Sequence, residues 1–132
     1  MSIINWNDHF SVRVQELDAH HRELVTHINA LADAIGQWAH DPSLPQKLEK
    51  IAKYAAFHFE REEQLLAEHG FPGLASHRKQ HEELLSLVDR FKTGEEPTVP
   101  PHAPSMIGNW LVNHIQREDK KYGLFLNRKS VV

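Results

Sequence analysis

Cysteine is absent from all 132 residues. That excludes disulfides, zinc thiolate sites, iron–sulfur clusters and thiol nucleophiles. A basic excess is missing too: 15 Lys and Arg stand against 18 Asp and Glu, for a net charge of −3. Neutralising a phosphate backbone needs positive charge, so nucleic acid is excluded as a partner. No run approaches the roughly 18 apolar residues of a membrane-spanning helix, which excludes membrane insertion. The amino terminus, MSIINWNDHF, lacks the basic start and apolar stretch of a secretory signal. A cytoplasmic location is the expectation. No alternating run marks a strand, and no internal repeat or low-complexity tract is present. Hydrophobic residues at 40 % and charged residues at 25 % are ordinary for a globular protein. Histidine is not ordinary: there are 11.

The length fits one domain spanning 1–132, with a core of four or five elements. Apolar residues recur at helical spacing from about Asp18 to Ala39, through Leu24, Ile28, Leu31, Ile35 and Trp38. Asp18 is the predicted N-cap, and His40-Asp41-Pro42 the stop. A second helix is predicted from Leu44 through Leu48, Ile51, Ala55, Phe59, Leu65 and Leu66, with Gly70 as the left-handed residue that ends it. A third runs from about Gly73 to Lys92, with Leu74, Leu84, Leu85, Val88 and Phe91 on one face. Residues 93–103 hold Gly94, Pro97, Pro100 and Pro101 and read as a loop. The fourth helix and tail occupy 104–132, starting near Pro104 or Ser105, with Gly123 a possible break. Short connections favour antiparallel neighbours. The fold class is therefore all-α, an up-down-up-down four-helix bundle. Residues 1–17 form an arm that Ile3, Ile4 and Trp6 pin to the bundle, and a short extension follows at the carboxyl end.

Polar residues fall on the faces that should be core. Residues four apart on a helix lie about 40° from each other. His58 and Glu62 are so spaced, within the stripe of Ile51, Ala55 and Leu66. His77 and His81 fill the gap between Leu74 and Leu84; His21 shares a face with Leu24 and Ile28; His114 follows Trp110 by four. A single such histidine is most simply a satisfied core residue. Five of them plus a glutamate, spread over four helices, are not explained by coincidence. A shared metal removes the cost of burying all of them, because neutral imidazole and carboxylate are good ligands for divalent transition metals. The donors outnumber the four positions of a tetrahedral zinc, which points to two metals. An acid at the end of the fourth helix is the remaining question. Glu118 and Asp119 both lie near His114, and Asp119, about 140° away, needs a local distortion or a helix end. Helical geometry leaves the choice open.

These residues resemble the hemerythrin family, in particular its single-domain bacterial members. The resemblance is carried by Leu17-Asp18-Ala19-His20-His21-Arg22-Glu23-Leu24, by His58-Phe59-Glu60-Arg61-Glu62-Glu63, by the pair His77 and His81, and by Trp110-Leu111-Val112-Asn113-His114 through Asp119-Lys120-Lys121-Tyr122, with Trp6 in the arm. It implies reversible dioxygen binding at a non-heme di-iron centre with an oxo or hydroxo bridge, for oxygen storage, transport or delivery to oxygen-using enzymes. It assigns His77, His81 and His114 to one iron and His21 and His58 to the other, with Glu62 and Asp119 bridging. Five imidazoles, two bridging carboxylates and a bridging hydroxide fill all but one position of two six-coordinate irons. The open position falls on the iron of His21 and His58. The resemblance also implies an apolar oxygen pocket of Leu24, Phe59, Trp110, Leu111 and Ile115; ordinary core is the plain alternative for each. Its partners are then dioxygen and an oxygen-consuming enzyme, and the expected state is a monomer.

His20 stands where the family more often has Gln, and its helical angle predicts that it points off the metal face into solvent. His27 is likewise predicted to face solvent. His9, His40, His69 and His102 are expected to take no part in holding metal. The alternative is a di-iron enzyme, a peroxidase or a protein detoxifying nitric oxide or oxygen, or else an oxygen sensor. Ferritin-like oxidases use paired Glu-x-x-His motifs. No Glu-x-x-His occurs in this chain, and histidine outnumbers carboxylate in the donor set, which favours a binding protein over an enzyme.

Overall fold

The structure, a computed structural model, describes residues 3–92 and 99–132. Helices α1 (Gln15–Gln37), α2 (Leu44–Glu68), α3 (Leu74–Lys92) and α4 (Ala103–His114) follow one another, and α4 continues through a π-helical turn (Ile115–Asp119) into α5 (Lys120–Arg128). The run from 103 to 128 is thus one helical rod, the fourth of the bundle. It packs on α1 and α3, while α2 also packs on α1 and α3, closing a ring of four. No strand occurs among the described residues. Nor is any described helix long and apolar enough to cross a membrane. Of the loop expected at 93–103, residues 93–98 lie outside the described residues, and α4 starts at Ala103.

The periodic apolar residues do face inward. Leu24, Ile28 and Leu31 of α1, Leu48, Ile51, Ala55 and Leu66 of α2, and Leu84 and Val88 of α3 are fully buried. Burial of each leucine, isoleucine or valine among them contributes about 1.5–3 kcal/mol. Trp38 departs from the expectation: α1 stops at Gln37, Trp38 takes extended backbone, and its side chain is 57 % exposed. Gly70 ends α2 as expected, with φ +71° and the Phe71 N–H donating to the Leu66 carbonyl at 2.9 Å.

Asp18 does not cap α1, which begins three residues earlier, at Gln15. Its buried carboxylate instead accepts from Val12 N–H at 2.8 Å and Ser11 Oγ at 2.6 Å, tying the arm to the helix that follows. Farther up the arm, Asn29 Oδ1 accepts from the N–H groups of Ile3 and Ile4 at 3.0 and 3.1 Å. Asn29 Nδ2 returns a bond to the Ile4 carbonyl at 2.9 Å. Ile4 is buried and Trp6 packs on Phe10, whereas Ile3 is 42 % exposed and anchors through its backbone. Gly123 does not break the last helix. A Cβ there would meet the Val12 carbonyl oxygen at 2.4 Å, so glycine is what lets the arm lie directly on α5.

Candidate metal centre

Each bundle helix delivers its inward polar residues to one level of the core. His21, His58, Glu62, His77, His81, His114 and Asp119 are all buried. The arrangement is organised by the two carboxylates. Glu62 Oε2 lies 2.8 Å from His58 Nε2 and 3.7 Å from His21 Nε2. Glu62 Oε1 lies 2.5 Å from His77 Nε2 and 3.0 Å from His81 Nε2. Asp119 Oδ2 sits 3.2 Å from His21 Nε2, and its Oδ1 lies 3.1 and 3.0 Å from the Nε2 atoms of His77 and His114. Each carboxylate therefore turns one oxygen to the His21 and His58 side and the other to the His77, His81 and His114 side.

Asp119 reaches this cluster through the π-helical turn at 115–119. The i→i+5 ladder of a π-turn stacks residues five apart as an α-helix stacks residues four apart. That is the distortion which regular helical geometry demanded, and it leaves Glu118 outside the cluster, beside Lys121 at 3.5 Å.

Close approach is not the same as hydrogen bonding here. The Nε2 atoms of His21, His58, His81 and His114 and both oxygens of Asp119 have no aligned hydrogen-bond partner, although all are buried and oxygen and nitrogen face one another. Native interiors satisfy the great majority of such atoms. Lone pairs that converge on a common point without pairing are what cations between them would require. Two groups of donor atoms lie mutually within 4.8 Å: Glu62, His77, His81 and His114, and His21, His58 and Glu62. The donor set fits divalent transition metals.

Without a cation, protons take that place. Burial pulls His21 down, but the facing Asp119 and Glu62 outweigh it and push the ring up to about 9. His77, under the same opposed influences, rises to about 10. Burial prevails at His58 and lowers it. Glu62 and Asp119 are held below the usual carboxylate range, because the surrounding imidazoles outweigh the burial that would raise them.

Further residues hold the cluster from outside. Tyr122 Oη donates to Glu62 Oε2 at 2.9 Å. Glu63 Oε2 accepts from His81 Nδ1 at 2.8 Å. His20 Nδ1 lies 3.0 Å from His58 Nδ1, which corrects the expectation that His20 faces solvent: its side chain is 13 % exposed. The angle along α1 ignores α2, whose His58 comes near enough for an imidazole beside the metal face to reach it. Burial lowers the His20 pKa. His27 is corrected likewise, being packed against Tyr54 and 3.2 Å from Glu23. Phe59 stacks on His81 with centroids 3.8 Å apart, and Trp110 stacks on His114 at 4.5 Å. Leu24, Leu111 and Ile115 are buried core residues within a turn of His21 or His114.

Fold and cluster together define a four-helix bundle built around a buried histidine and carboxylate site suited to metal. The profile described as "Hemerythrin HHE cation binding domain" matches residues 12–125, and the chain belongs to the hemerythrin family. It is 29 % identical over 128 residues to the bacteriohemerythrin of Stenotrophomonas maltophilia, covering 92 % of this chain and 80 % of that one. Identity to the myohemerythrin of Theromyzon tessulatum is 31 % over 117 residues, with 89 % and 88 % covered. A crystal structure of wild-type hemerythrin superposes with a TM-score of 0.82 at 26 % identity, covering 92 % of this chain and 95 % of that one.

Proposed function

We propose that this chain binds dioxygen reversibly at a non-heme di-iron centre, for oxygen storage, transport or delivery. The observation that carries the reading is the division of both carboxylates between two histidine groups of unequal size. His77, His81 and His114 would hold one iron, His21 and His58 the other, and Glu62 and Asp119 both. Two ferrous ions held by these residues would supply the two electrons that dioxygen takes up on binding, with the group of His21 and His58 contributing one imidazole fewer than the other.

The chain's own residues do the rest. Tyr122 orients Glu62, and Glu63 orients His81. Phe59 and Trp110 clamp the faces of His81 and His114. With Leu24, Leu111 and Ile115 they surround the donor cluster with apolar side chains, which limits the access of water and protons. Exclusion of water is what allows a ligand to leave as it came.

The test is iron analysis followed by anaerobic reduction and oxygen titration. Two irons per chain and a visible charge-transfer band are expected, the band disappearing under vacuum and returning with oxygen. One metal per chain overturns the two-iron reading. Irreversible bleaching with repeated turnover of peroxide or nitric oxide supports an enzyme instead.

A further inference from the structure

Behind two imidazoles of the cluster lie chains of polar groups that lead to arginines at the surface, one hydrogen-bonded throughout and one not. In one, Arg78 Nε donates to Glu63 Oε1 at 3.1 Å, and Glu63 Oε2 accepts from His81 Nδ1 at 2.8 Å. In the other, Arg61 donates to both oxygens of Glu16 at 2.6 and 3.1 Å. Glu16 Oε2 lies 3.9 Å from His20 Nε2, and His20 Nδ1 lies 3.0 Å from His58 Nδ1. An imidazole thus stands where the first chain has a carboxylate.

One proton serves the contact between the two Nδ1 atoms. His58 Nε2 faces Glu62 Oε2 at 2.8 Å and has no aligned hydrogen-bond partner. If that nitrogen offers a lone pair to metal, the ring's proton must sit on Nδ1. His20 Nδ1 is then the acceptor, and the proton of His20 sits on Nε2, on the side of the Glu16 carboxylate.

We propose that His20 is a positioning residue for His58, fixing its ring and its tautomer so that Nε2 presents a lone pair to the His21 and His58 half of the centre. This rests on the reading of His58 as a metal-holding residue. A neutral acceptor draws less on the His58 proton than Glu63 draws on that of His81, so His58 is the weaker donor. The half with three imidazoles and a carboxylate behind one of them fills first. The half with two imidazoles and His20 behind one fills second.

The experiment is a cobalt(II) titration of the metal-free full chain, wild type against H20L and H20Q, with ¹⁵N–¹H imidazole spectra of the same proteins before metal is added. Wild type takes two equivalents and shows His58 in the Nδ1–H form. In H20L the first equivalent binds as before and the second is weakened about 10–100-fold, the usual effect of losing such a partner. The same variant shows His58 with mixed tautomers. H20Q, whose side-chain carbonyl accepts the same proton, restores both readings. Should H20L not fold, H20A carries the same expectation. A wild type that takes only one equivalent overturns the two-metal reading and this inference with it. A wild type that takes two, beside an H20L with unchanged second affinity and unchanged tautomer, overturns the role of His20 alone. His20 would then only pack against Tyr54 and Phe57, at centroid distances of 6.2 and 5.2 Å.

Discussion

Glu62 is fully buried, and its two oxygens face four imidazoles and one phenol. Among the described residues, Tyr122 is the one that gives Oε2 an aligned donor. Tyr122→Phe keeps the ring and removes that donor. In the metal-free protein the change should cost about 1–3 kcal/mol, the penalty for leaving a buried acceptor short of a bond. Chemical denaturation checks it; a loss below about 0.5 kcal/mol would mean that the imidazoles alone satisfy Glu62. Glu62 itself was legible in the sequence, because it shares a helical stripe with His58 and Leu66. Tyr122 was not, although it stood inside the matching motif, because its partner is 60 residues away on another helix. Glu63 and His20 escaped for the same reason. Periodicity reports which face of its own helix a residue occupies, not what a neighbouring helix brings within reach.

Elements were legible wherever the period is regular. Starts and stops followed local chemistry at Gly70 but failed at Asp18, whose carboxylate serves the arm and not the helix end. The site was legible up to His114. Beyond it lies the π-turn, which a period of 3.6 cannot anticipate and which only the family motif placed on Asp119. The turn holds one residue more than an α-helix needs to return to the same face. Deleting Gln116, an exposed residue of the turn, should therefore restore a regular helix with His114 and Asp119 four apart. The flanking α4 and α5 would keep their packing. Metal content of two per chain and unchanged helical circular dichroism are the expected results. Loss of metal with helix content intact would show that the extra residue sets more than the direction of Asp119.

At the scale of the whole molecule, the buried cluster ties global stability to both pH and metal. His21 and His77 sit at about 9 and about 10, against an ordinary histidine value of about 6.5. Between those values the folded metal-free chain holds protons that the unfolded chain has released. The stabilisation they give is complete below about pH 6.5 and is lost as pH rises through about 9. Glu62 and Asp119, whose carboxyls are depressed, contribute in the opposite sense: their stabilisation is present above about pH 4 and lost as pH falls further. His20, His27 and His58, lowered by burial, act against the folded state as pH falls through about 6.5, where the unfolded chain takes up protons that they refuse. The metal-free protein should thus be most stable near about pH 6.5 and weaken steadily toward pH 9. Metal replaces the protons with fixed positive charge, and its hold tightens as protons compete less. The loaded protein should therefore show no such decline. Scanning calorimetry at pH 6.5 and pH 9 on both forms separates the cases, since surface groups titrate alike in each. A loss of even about 1 kcal/mol lowers Tm by roughly 3–6 °C in a chain of this size. Parallel pH profiles for the two forms would mean that His21 and His77 do not hold the protons that the facing carboxylates call for.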